Sequence, residues 1–122
     1  MEVRSGLVED HFGYWPEFAD AKVVNFSWAQ PGQIDLALHY VDADQGKDAI
    51  ISLRFSGVSD VELADLKSEN VVDCLSLSPG SPISVELVAC YGLCGTFQCL
   101  GVEVVGFEPN SSSKPTPLRG AA

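Results

Sequence analysis

Cys90, Cys94 and Cys99 stand within the run ACYGLCGTFQC, and Cys74 lies sixteen residues before the first of them. Thiolates this close together could hold a metal ion or exchange disulfides. A zinc knuckle, however, brings two cysteines together across two intervening residues, and that pairing is missing here. The spacing favours small apolar thiols packed in a core around a hairpin. In that hairpin Gly92 and Gly95 would take backbone conformations that a side chain resists. A metal or redox site built on Cys90, Cys94 and Cys99, with Cys74 or His39, stands as the alternative. The two histidines, His11 and His39, have no catalytic or ligand spacing, and His39 falls in a register that points away from Ile34, Leu36 and Leu38. A lone strand histidine of this kind is a surface or hydrogen-bonded residue. There is no Gly-x-Ser-x-Gly turn and no phosphate cradle. With 17 acids in 122 residues, any pair of carboxylates could be chosen as acid and base, so none is informative. The expectation is a protein that is not an enzyme and needs no cofactor or metal.

The acids carry information as a field. The chain has 17 acidic and 7 basic residues, a formal −10, and residues 1–109 hold 17 acidic against 5 basic residues, a formal −12. This balance argues against nucleic acid and anionic membrane as partners, because both need clustered Lys and Arg. Asp42, Asp44 and Asp48 crowd one loop, while Asp60, Glu62, Asp65 and Glu69 crowd another stretch with Lys67 as the one offset. Such a surface keeps a small domain soluble, and it also steers a basic partner into contact. These seven acids are the expected partner-binding residues.

What must position them is a set of strands. From Val23 to Phe107 apolar residues recur mainly at every second position: Ile34, Leu36, Leu38 and Tyr40; Ile51, Leu53 and Phe55; Val61 and Leu63; Leu75 and Leu77; Ile83, Val85 and Leu87; Val102 and Val104. Turn residues fall between the runs, at Gln30-Pro31-Gly32, from Asp42 to Lys47 and at Pro79-Gly80-Ser81-Pro82, and they suggest a meander of hairpins. The expected fold is mainly β, an antiparallel sandwich or partly open barrel of about eight short strands. At most one or two short helical turns are expected, at Pro16 to Ala21 and Leu63 to Leu66. Residues 1–109 read as one domain and residues 110–122, rich in Ser and Pro, as a flexible tail. The acids and histidine near the start interrupt any secretory apolar run, no apolar run is long enough to span a bilayer, and the expected location is the cytoplasm. Edge strands of so small a sheet could also pair two copies.

Three stretches in this order resemble the immunity protein 50 family: Trp15-Pro16-Glu17-Phe18-Ala19-Asp20-Ala21, Leu53 to Leu63 (LRFSGVSDVEL), and Cys90 to Cys99 (CYGLCGTFQC) followed by Val102-Glu103-Val104. The resemblance spans about residues 15 to 108. The family tends to have a histidine before the Asp-Ala pair, where this chain has Ala19. It is linked with bacterial polymorphic toxin systems. The resemblance therefore implies a small cytoplasmic protein that binds and neutralises a cognate toxin domain, and the acidity of this chain adds the expectation of a basic one. A protein-interaction domain outside toxin systems is the plainer alternative.

Overall fold

The computed structural model describes residues 6–110. The predicted tail lies, past Asn110, outside the described residues. A short helix α1 (Gly6–Phe12) precedes eight strands: β1 (Lys22–Ala29), β2 (Gln33–Asp42), β3 (Lys47–Ser56), β4 (Ser59–Ala64), β5 (Val71–Ser78), β6 (Ile83–Tyr91), β7 (Cys94–Cys99) and β8 (Gly101–Asn110). All pairings are antiparallel, and the eight strands form one sheet in the order β4-β7-β6-β5-β1-β2-β3-β8, not closed into a barrel.

The sheet has two four-strand halves joined at a narrow corner, because β1 and β5 share one register pair, Lys22 with Val71. The chain entering β1 runs first beside β5: Asp20 N donates to Val72 O (2.7 Å), Val72 N to Ala21 O (2.8 Å) and Leu75 N to Glu17 O (2.9 Å). It then crosses to β2. Across the interior Phe55 of β3 meets Phe97 of β7, ring centroids 5.0 Å apart and nearly perpendicular, so the halves face one another over a common core. The alternation legible in the sequence supplies that core: Ile34, Leu36, Leu38, Ile51, Leu53, Phe55, Leu75, Ile83, Val85, Leu87, Val102 and Val104 are all buried.

The meander holds within β1–β2–β3 and within β5–β6–β7 but not between them. β4 attaches to β7 and β8 to β3, each extending the other group. Neither predicted helical turn forms. Phe18 and Asp20 take left-handed backbone conformations (φ 65° and 64°) that interrupt any helix there, and Leu63 lies in β4, which gives way to a left-handed Asp65 (φ 65°). The helix is instead α1, where Val8 and Phe12, four residues apart, bury one face. It stops at Gly13, whose φ of 88° suits a residue without Cβ and whose N–H bonds Glu9 O at 2.7 Å. Val61 is exposed rather than inward, because the register of β4 shifts between Ser59 and Glu62 beside a left-handed Asp60 (φ 53°).

Candidate functional site

β4 is an edge strand, and all of it but Leu63 lies exposed. The register carries its outer face across the sheet: Glu62 stands opposite Thr96 of β7, and Thr96 opposite Glu86 of β6. Asp60, Glu62 and Glu86 therefore border one open depression of about 430 Å³, with Ser84, Thr96 and Gln98 in its wall and no Lys or Arg lining it. Asp65 and Glu69 continue the acidic run, both exposed, in the loop that follows β4. The loop is held by the buried Asn70. Its Oδ1 accepts from Lys67 N (3.0 Å) and Leu93 N (2.8 Å), and its Nδ2 donates to Lys67 O (2.9 Å). Glu86 was not singled out in sequence. Its place on a polar strand face was legible, but its neighbourhood to Glu62, 24 positions away, depends on the β6–β7–β4 pairing.

The other acidic loop, between β2 and β3, divides. Asp42 and Asp44 border an open depression with Tyr14, Asp20, Tyr40 and Gln45. Asp48 does not join them: it is 8% exposed, and its Oδ2 lies 2.7 Å from His39 Nε2. His11 of α1 donates from Nε2 to the Asp48 carbonyl at 3.2 Å. Asp48 is thus a buried, hydrogen-bonded residue and leaves the exposed acidic surface. The expectation of a hydrogen-bonded His39 holds.

Tyr14 donates its one hydroxyl proton to Asp42 Oδ2 (2.7 Å), so Tyr40 is the donor in the 2.7 Å contact between the two hydroxyls. Gln45 Nε2 also donates to Asp42 Oδ2 and to Phe12 O, each at 2.7 Å, and Lys47 Nζ to His11 O at 2.9 Å. Together these bonds fasten the end of α1 to the hairpin. Desolvation, with the Asp42 carboxylate that accepts its proton, pushes the Tyr14 phenol far above its ordinary 10.0. Hydrogen bonds from Tyr14 and then Gln45 hold the Asp42 carboxyl below its ordinary 3.8. For Tyr14 the raised pKa means a contribution complete below the ordinary phenol pKa and lost as pH climbs toward the raised value. For Asp42 the lowered pKa means a contribution complete above 3.8 and lost as pH falls through the lowered value. We expect Tyr14→Phe to flatten the alkaline limb of stability and to return the Asp42 carboxyl toward its ordinary value. Urea unfolding across pH and carboxyl NMR titration would read this; an unmoved Asp42 titration would refute the coupling.

All four cysteines are free thiols. Cys99 is core, as the thiol-packing reading expected, whereas Cys90 is exposed and Cys74 and Cys94 are partly so. Desolvation, then Asp73 and Asp20, push the Cys90 thiol up, which disfavours the thiolate that metal binding or disulfide exchange requires. Among the described residues no three His, Cys, Asp or Glu side chains are grouped so as to hold a metal ion. No helix among them is long and apolar enough to cross a membrane.

Fold and surface together define a mainly-β, acidic domain whose prominent charged features are open and shallow. No protein-family model, no curated protein and no solved structure matches the chain.

Proposed function

We propose that this chain is a non-catalytic, immunity-type binding protein that neutralises a basic toxin domain by covering it with the acidic face around β4. The observation that carries the reading is the convergence of Asp60, Glu62 and Glu86 on one exposed depression without a basic side chain in its wall, continued by Asp65 and Glu69. The charge of −12 in residues 1–109 and the resemblance of three stretches to the immunity protein 50 family support it. A pleated edge suits this role, because a rigid sheet presents its carboxylates without first having to order them, while clustered negative charge raises the encounter rate with a cationic patch. Asp42 and Asp44 add to the field from the β2–β3 loop.

The test uses a toxin domain encoded beside this chain's gene, mixed with the full protein by stopped flow. Association should slow steeply with added salt, and Asp60→Asn, Glu62→Gln and Glu86→Gln combined should lower the low-salt rate by about tenfold or more. These side chains are exposed, so thermal stability should stay within about 0.5 kcal/mol of the parent. An association rate indifferent to both salt and the three substitutions would remove β4 from the contact. Failure of any neighbouring toxin domain to bind would remove the immunity reading itself.

A further inference from the structure

The sheet has a third open edge inside its strand order. Beyond the Lys22–Val71 pair and the bond from Val23 N to Asn70 O (2.9 Å), β5 diverges from β1. From Val24 to Ala29 no strand of the described residues pairs with that side of β1. Trp28 stands opposite the buried Ile34 and Phe26 opposite the buried Leu36, so both lie on the core-facing side of their strand. Trp28 is nevertheless 50% exposed, and Val24, left without a β2 partner at the register shift of β1, is 51% exposed.

The three open edges differ in how they repel a second strand. β4 presents Asp60 and Glu62 and an irregular register; β8 presents Glu103, Glu108 and Pro109. Charge, irregularity and proline are the usual protections of an exposed edge. β1 has a register shift near its start but no acid: between Asp20 and Asp35 the sequence holds Lys22 as its one charged residue. In a chain this acidic, β1 is the edge whose own side chains carry no carboxylate, with Glu69 bordering the cleft only at its Lys22–Val24 end. We propose that β1 is a self-association edge, where two copies of the chain pair their β1 strands antiparallel about a two-fold axis and bury Val24, Phe26 and Trp28 of each between them.

The arithmetic suits a reversible dimer. Five facing residues, Val24 to Trp28 about a two-fold at Phe26, supply about four to six inter-strand hydrogen bonds in an antiparallel pair, the lower end of the usual range for a specific interface. Two half-exposed indoles add the aromatic anchors such contacts favour. Against this stands the repulsion of two bodies of formal charge −12, which salt screens. Self-association therefore strengthens with salt, whereas the toxin complex proposed above weakens with it, so failure of either idea is visible separately.

Sedimentation equilibrium of the full chain over a concentration series, at low and at moderate salt, tests this. The expected result is a mass rising from 13.0 kDa toward twice that value with concentration, at lower concentrations when salt is added. Tryptophan emission should shift to the blue as Trp28 is covered. Trp28→Lys and Val24→Lys should each weaken the dimer by about tenfold or more. The circular-dichroism spectrum of each variant should remain unchanged, since both side chains are half exposed. A monomer at every concentration and salt overturns the proposal and leaves the edge to a strand of another protein. A dimer indifferent to both substitutions overturns it as well.

Discussion

Phe55→Ala should lower the unfolding free energy by about 3–5 kcal/mol. Phe55 is fully buried, stands between Ile34 of β2 and Val102 of β8 in register, and meets Phe97 from the other half of the sheet. Truncation removes the ring from water-excluded surroundings and leaves a void bounded by two pleated layers that cannot easily close, because each is tied by its own ladder of hydrogen bonds. Small domains are stable by about 5–15 kcal/mol, so this single change takes about a fifth of the reserve at the least. Phe97→Ala should cost a similar amount. The double variant should cost less than the two single losses combined, since the rings share one contact. Urea unfolding followed by circular dichroism would measure all three. A loss below about 1 kcal/mol for Phe55→Ala would mean that the halves are not held together through this pair.

The second large effect is expected at Gly95, where β7 passes between Leu63 of β4 and Leu87 of β6. Its φ is 139°, in a region L side chains rarely adopt, and a Cβ there would collide with the Glu62 carbonyl oxygen and stand 2.9 Å from Leu63 Cα. These are backbone atoms and cannot swing aside. Gly95→Ala must therefore push β4 off β7 as well as strain its own backbone, at a cost of about 3 kcal/mol. The consequence for function is specific, because the row Glu62–Thr96–Glu86 exists only while β4 is paired. Hydrogen exchange of the β4 amides should accelerate more than that of β2 and β3. Gly6→Ala is the control: a Cβ there meets nothing within 4 Å, and stability should be unchanged. Equal exchange in β4 and β3 for Gly95→Ala would show that the close approach is not what holds the acidic edge.

How far the site was legible follows from the same geometry. Asp60, Glu62, Asp65 and Glu69 were visible as an exposed acidic run, and they are exposed. Asp48 looked equivalent to Asp42 and Asp44, three near neighbours in one loop, yet it is buried against His39. A residue's side of the sheet depends on where the strand begins, and β3 begins at Lys47, which puts Asp48 inside the β2–β3 ladder on the face of Ile50 and its partner His39, within hydrogen-bond reach of the imidazole. Helix α1 escaped notice because seven residues with two buried side chains, Val8 and Phe12, make too short an apolar stripe to be read from periodicity.

By itself the sequence determined the strands and, β4 apart, their inward faces: each alternation of apolar with polar residues is a local property, set by the two-residue repeat of extended backbone and by the cost of leaving apolar surface in water. It determined the acidity as well, since charge needs no fold to be counted. Which strands became neighbours was decided by tertiary structure alone. The attachment of β4 to β7 and β8 to β3, the meeting of Glu62 with Glu86, the burial of Asp48 and the open side of β1 all depend on contacts between residues distant in the chain. Those contacts form through packing of whole faces, and any one face, read alone, fits several partners equally well.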